Sequence, residues 1–177
     1  MKLTARKESA LLQRLGRALT DDAFWEPRLK SLMRGENPEQ SLHVAIFQEP
    51  FLTWVLEGKK PVESRFSLNQ VAPYGLVHEG DAVALKRVGG PIVGIGHVRA
   101  VSSYRLDPRT WSFLRERFSE LLCATDEAFW DARAAARFAT LIFLDEVRTM
   151  PAIDYAKSDR RGWVIDHRPT RQHSLNF

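Results

Sequence analysis

Leucine and alanine recur at helical spacing along Leu11–Leu19 and again further on, which predicts one or two amphipathic helices within Thr4–Met33. The cluster Gly35–Pro38 follows, and glycine, asparagine and proline together break helices. We therefore predict a helical N-terminal extension over residues 1–38 and a main domain over residues 39–177.

The period of the pattern changes beyond this cluster. The dense apolar run Leu42–Phe47 predicts a buried strand, and Pro50 suits the first turn of a short helix that ends at Gly58. From Val62 to Phe66, apolar and charged residues alternate, as they do in a strand. A strand, a short helix and a second strand are therefore expected in this order.

The middle of the chain carries a hairpin signal. Ala82–Lys86 and Ile92–Val101 are both strand-like, and a glycine-rich turn joins them. Asp107 and Asp126 are each followed by an amphipathic stretch, so we predict a helix after each of these caps.

The last predicted strand begins within Leu141–Phe143, and we predict that it pairs with Gly162–Ile165. Strands dominate the middle and the end of the chain, and the short helices between them show no βαβ alternation. This order predicts the α+β class, with a small mixed β-barrel that short helices decorate.

The overall charge is mildly basic, with 26 basic and 22 acidic residues. Its distribution is more informative, because Lys157–His173 holds five basic residues against two acidic ones; the basic ones are Lys157, Arg160, Arg161, Arg168 and Arg171. Such a tail suits phosphate binding, and a solvated basic end is the alternative.

Several classes of function are disfavoured. The sequence has no long apolar run that would span a bilayer, so we expect a cytoplasmic protein without a membrane partner. No metal-ligand motif is present, and we expect neither a metal nor a cofactor. The single cysteine, Cys123, is interpreted as a buried, inert thiol.

The most informative stretch is EPFLTWVLEGKKPVESRF, where a short predicted helix ends and charged residues follow. Gly58, Lys60, Glu63 and Arg65 match the pattern G-x-K-x-x-E-x-R, and the chain thereby resembles the ASCH family of PUA-like domains. The resemblance covers about Leu42–Arg168. It implies a PUA-like barrel and a role in binding RNA or nucleotides.

The spacing has a physical interpretation. Glu63 and Arg65 share one face of a strand and Lys60 lies at its entrance, so two cations would surround one carboxylate and keep it ionised. A cleft with this floor would accept an anionic ligand, which arginine can bind in a bidentate way. The alternative is a surface ion-pair cluster without a ligand.

Aromatic residues are the second requirement for nucleotide recognition, because bases stack on flat side chains. Trp54, Tyr74 and Trp163 lie near the motif or the basic tail and are candidate stacking residues. Trp111 and Trp130 are assigned to the core, because they lie on amphipathic helices.

The first functional hypothesis is a binding module for RNA, a nucleotide or a modified nucleoside. Its ligand would contact Lys60, Glu63 and Arg65, with Arg160 and Arg161 on the phosphates.

Two enzymatic alternatives use the same motif. Some ASCH-like proteins resemble amidohydrolases that act on acetylated cytidine with a lysine, a threonine and a glutamate. Lys60 matches that lysine, but Glu63 stands in the place of the threonine, and Glu120 or Glu127 would supply the later glutamate. In a metal-independent ribonuclease, Lys60 or Arg65 would stabilise the charged phosphorane, and Glu63 or a histidine would move a proton.

A non-catalytic alternative also remains. The helices within Thr4–Met33 would recruit a protein partner, and the cleft would then have no ligand.

Overall fold

The computed structural model describes residues 9–156 and 160–168. Of the predicted basic tail, Lys157 and Arg171 lie outside the described residues. Eleven elements follow in chain order: α1 (Ala10–Ala18), α2 (Trp25–Arg34), β1 (Leu42–Phe47), α3 (Phe51–Leu56), β2 (Val62–Ser67), β3 (Ala82–Arg87), β4 (Ile92–Arg105), α4 (Pro108–Phe118), α5 (Glu127–Asp131), β5 (Phe138–Ile153) and β6 (Trp163–His167).

The strands form one six-stranded sheet in the order β2-β5-β4-β3-β1-β6. The pair β1–β3 is parallel, and the other pairs are antiparallel. This mixed sheet curves into a half-barrel and confirms the predicted α+β class and PUA-like barrel with short decorating helices. The predicted hairpin is confirmed as β3–β4, where Ala84 pairs with Ile95.

Two predicted helix starts are confirmed by their caps. The Asp107 carboxylate accepts a hydrogen bond from the backbone N–H of Thr110 at 2.7 Å, and α4 begins at the next residue. The carboxylate of Asp126 accepts one from the N–H of Ala128 at 2.9 Å and caps α5. Each cap satisfies a backbone donor that has no partner inside its helix.

The predicted pairing of Leu141–Phe143 with Gly162–Ile165 is wrong. Leu141 lies in the middle of the long strand β5, where Ser64 of β2 pairs on one side and Ser102 of β4 on the other. Both edges of β5 are thereby occupied, and β6 pairs instead with β1, with Trp163 opposite Ala45.

Cys123 also differs from its interpretation. It is half-buried and follows α4 in a turn with a positive φ of 51°, and its Sγ lies 3.5 Å from the carbonyl oxygen of Lys59. Trp130 of α5 is buried in the core, as predicted, and Trp111 of α4 is half-buried and packs against the same cluster.

Alternate residues of β1 are buried on both faces of the sheet. Leu42 and Val44 pack with the buried leucines of α1 and α2. Ala45 and Phe47 pack on the opposite face with α3. This double burial is why β1 is apolar almost without interruption.

No described helix is long and apolar enough to cross a membrane.

The first two helices share their core with the sheet. Leu15 and Leu29 are fully buried, and they belong to the same hydrophobic cluster as Ala84 and Ile95 of the central strands. The division of the chain at residue 38 stays a prediction, and the next experiment tests it.

We predict that Leu15→Ala lowers the free energy of unfolding of the whole chain by about 2–5 kcal/mol, because it leaves a cavity between α1 and the sheet. Urea unfolding followed by circular dichroism and by tryptophan fluorescence should show one coincident transition that shifts as a unit. Leu68→Ala, at a site 57% exposed, is the control with little effect. Two separate transitions, only one of them shifted, would contradict a shared core.

Candidate nucleotide-binding site

The ionic residues are positioned by the turn between α3 and β2. Gly58 adopts a positive φ of 73°, which favours glycine, and allows the chain to reverse after α3. The backbone N–H of Lys60 then donates to the carbonyl oxygen of Trp54 at 3.0 Å. Strand β2 follows, and its alternation places Glu63 and Arg65 on the same face.

One carboxylate lies between two cations. Lys60 Nζ donates to Glu63 Oε2 at 2.8 Å, and Arg65 Nε lies 2.9 Å from Glu63 Oε1. The side chains of Lys60, Glu63 and Arg65 are only 2%, 9% and 19% exposed. We call these three residues the ionic cluster. Their low exposure shows that the cluster does not lie on the solvated surface.

Other donors of the cluster bind backbone oxygens. Lys60 Nζ also donates to the carbonyl oxygen of Val62. Arg65 Nη1 donates to the carbonyl oxygen of Gly162 and Nη2 to that of Ile46, both at 2.9 Å. Arg65 lies on the β2 edge of the sheet, whereas Ile46 and Gly162 lie at the β1–β6 edge. The guanidinium therefore joins the two edges of the half-barrel.

The charge state of Glu63 follows from its surroundings. Burial by itself raises the pKa of this carboxyl group, but the charges of Lys60 and Arg65 and their hydrogen bonds outweigh that effect. The pKa of Glu63 therefore lies below its ordinary value of 4.5, and the group is ionised at neutral pH.

A cavity of about 400 Å³ opens above the ionic cluster. We call it the ionic cavity, and it lies within the size range of small-molecule sites. Besides the cluster, its lining residues are Ile46, Phe47, Gln48, Phe51, Ser64, Phe66, Val88, Phe129, Arg133, Arg160 and Gly162. Glu63 is the one carboxylate among the described lining residues, against four cations, so the cavity carries net positive charge.

The structure brings together some of the predicted site residues. Lys60, Glu63, Arg65 and Arg160 all line the ionic cavity. Arg161 lines an adjoining groove and not the ionic cavity.

The three candidate stacking residues are absent from the described lining of the ionic cavity. Trp54 packs edge-on against Phe51, and Tyr74 packs against Phe138 at a centroid distance of 5.0 Å. Trp163 is 2% exposed and lies behind Arg65, whose Cζ is 5.2 Å from its ring.

The indole of Trp163 is held by a buried hydrogen-bond chain. Its Nε1–H donates to Nδ1 of His43 at 3.1 Å, so the imidazole proton lies on Nε2, which is 2.9 Å from Asp81 Oδ2. Both imidazole nitrogens are thereby engaged, and this series of hydrogen bonds fixes β6 against β1 and β3.

Among residues 9–156 and 160–168, no group of three metal-ligating side chains occurs.

Sequence reasoning missed Arg133 as a cavity residue. Its Cζ lies 3.7 Å from the centre of the Phe129 ring, and its Nη1 donates to the carbonyl oxygen of Phe129 at 2.7 Å. Burial and the charge of Arg65 lower the pKa of Arg133, and the charge of Glu63 raises it. The net effect is a pKa below its ordinary value, but the guanidinium remains a cation at neutral pH.

Phe51, Phe66 and Phe129 also line the cavity and were not predicted there. They come from α3, β2 and the α5 region, and only the fold brings them together. Their positions carry no local signal that distinguishes them from ordinary core phenylalanines.

The fold is similar to crystal structures of an ASCH protein. The crystal structure of an ASCH protein from Zymomonas mobilis aligns with a TM-score of 0.52 and 16% sequence identity, over 64% of this chain and 73% of that one. A serine-to-alanine mutant of the Zymomonas mobilis protein aligns with a TM-score of 0.57 and 14% identity, over 72% and 89% of the two chains. This chain therefore has an ASCH-like fold, as the motif predicted.

At this level of identity the likeness establishes the fold alone. No protein-family model matches the sequence, and no curated protein matches it at a significant level.

We predict that Glu63→Gln lowers the free energy of unfolding by about 3 kcal/mol at neutral pH, because two buried cations lose their shared anion. Glu57→Gln is the matched control with an effect below about 1 kcal/mol, since Glu57 pairs with Lys59 on the surface.

The same pair of variants tests the pKa of Glu63. A lowered folded-state pKa stabilises the fold fully above the ordinary value of 4.5, and this stabilisation is lost as the pH falls through the folded-state pKa. The difference in free energy of unfolding between the wild type and Glu63→Gln should therefore become smaller as the pH is lowered. Urea unfolding at a series of pH values measures it. A difference that stays constant below pH 4.5 would contradict the ionised cluster.

Proposed function

We propose that this protein binds RNA or a nucleotide and that the ionic cavity receives one nucleotide of the ligand. The observation that carries the proposal is the charge of the cavity: four cations and one carboxylate among its described lining residues. Positive charge in a concave site of this size favours a small anionic group such as a phosphate.

The four cations that line the ionic cavity have different roles. Lys60 and Arg65 direct most of their donors to Glu63 and to backbone oxygens, so their main role is to shape the floor. Within the described parts of the chain, neither Arg133 nor Arg160 forms an ion pair with a carboxylate. These two arginines are therefore the cations that can contact phosphate groups of the ligand.

The aromatic residues that line the cavity would bind the base of the nucleotide. Phe51 and Phe66 each pack edge to face against Phe129 around the cavity. Their ring centroids lie 5.9 and 6.2 Å from that of Phe129, respectively. A nucleobase gains about 1–3 kcal/mol from stacking on an aromatic ring. The phenylalanines take the role that the sequence had suggested for Trp54, Tyr74 and Trp163.

The enzymatic alternatives have less support. As an amidohydrolase nucleophile, Lys60 would need a free amine, but here its ammonium group donates to Glu63 and to Val62. Glu120 is exposed and Glu127 pairs with Arg115, and the described lining of the cavity includes neither.

A ribonuclease would need a group that titrates near neutrality. The pKa of Glu63 is shifted away from neutrality, and no histidine is among the described residues that line the cavity. The scaffold alternative is weaker too, because α1 and α2 use their apolar faces to cover the sheet.

We predict that Arg133→Ala weakens binding of a short, labelled single-stranded RNA by about tenfold or more, because a charge-assisted hydrogen bond to phosphate is lost. Fluorescence anisotropy at several salt concentrations should also give a slope of log K against log salt that is shallower by about 0.7.

Arg137→Ala is the matched control, since Arg137 is exposed and is not among the described residues that line the cavity. It should bind RNA as the wild type does. If both variants bind equally to the wild type, the ionic cavity is not the binding site.

A further inference from the structure

A second groove adjoins the ionic cavity. It has a volume of about 820 Å³ and lies beside the turn that joins β3 to β4, so we call it the hairpin groove. Ile46, Val88, Arg160 and Gly162 line both spaces. The two spaces are therefore adjacent, and Arg160 lies where they meet.

The hairpin groove is also basic. Arg160, Arg161 and Lys86 line it, and Asp154 is the one acid among its described lining residues. Lys86 is buried and donates to the carbonyl oxygens of Arg87 and Gly90, so its charge is fixed at the base of the turn. The positive charge of the ionic cavity thus extends into the groove.

We propose that the ligand is a single strand of nucleic acid and that the two spaces receive consecutive nucleotides, with the linking phosphodiester at Arg160. This inference rests on the proposed function. A free nucleotide would occupy the ionic cavity alone, whereas a strand places its next charged phosphate where the two spaces meet. The strand must be unpaired at this point, since a base inside a duplex cannot enter a cavity.

The first test compares ligands of increasing length: uridine 5′-monophosphate, the 5′-phosphorylated uridine dinucleotide, which carries one phosphate more, and a longer 5′-phosphorylated oligouridine. We expect the dinucleotide to bind at least about tenfold more tightly than the monophosphate, and the slope of log K against log salt to steepen by about 0.7 for each added phosphate contact. Isothermal titration calorimetry measures all three ligands without a label.

The second test changes the hairpin groove alone. Ala156 is exposed and lines this groove but is not a lining residue of the ionic cavity, so Ala156→Glu adds a negative charge only there. We expect oligouridine binding to weaken about tenfold and uridine monophosphate binding to stay unchanged. Ala152→Glu, at an exposed position of β5 that is not among the described residues lining the groove, is the matched control and should bind like the wild type.

A third variant acts in the opposite direction. Asp154→Asn removes the acid from the groove while its backbone carbonyl can still accept the hydrogen bond from Arg14. We expect it to bind oligouridine several-fold more tightly than the wild type, with no change for the monophosphate. This variant keeps the test decisive if Ala156→Glu does not fold.

The outcomes separate the two proposals. If the monophosphate binds and the longer ligands bind no more tightly, the strand proposal is wrong and the nucleotide site stands. Equal oligouridine binding by the wild type, Ala156→Glu and Asp154→Asn also overturns the strand proposal. If none of the three ligands binds, the proposed function itself fails.

Discussion

The half-barrel depends on one shared carboxylate. Glu63 lies between Lys60 and Arg65, and Arg65 reaches from β2 to the carbonyl oxygens of Ile46 and Gly162 at the far edge of the sheet. Without the anion, two cations would be buried side by side, which is unfavourable in a poorly hydrated site. The ionic cluster thus neutralises itself and also holds the two sheet edges together.

This structural role determines how the cavity can recognise a ligand. Arg65 joins the two edges of the sheet, and Lys60 donates to Glu63 and to the carbonyl oxygen of Val62. Both therefore have few donors left for a ligand and mainly form the floor of the cavity. Arg133 and Arg160 come from separate segments at the walls, and neither forms an ion pair with a carboxylate in the described chain. Shape and charge are therefore supplied by different residues.

The local elements of the fold were predictable, because their signals lie in neighbouring residues. Asp107 and Asp126 cap helices through bonds to the next turn, and the β3–β4 hairpin needs only a short connection. The partner of β6 was not predictable in this way. Trp163 pairs with Ala45, more than a hundred residues away, and its indole is fixed by a hydrogen bond to His43.

The sequence by itself determined that Glu63 and Arg65 share one face of a strand, because of the strand's two-residue period, and that Lys60 lies at the entrance to that strand. Only the tertiary structure decided what surrounds these three residues. The phenylalanines and Arg133 come from elements far apart in the chain, and the curvature of the sheet brings them to one cavity. Spacing along the chain specifies neighbours on one strand, whereas contacts between distant elements depend on how the whole sheet closes.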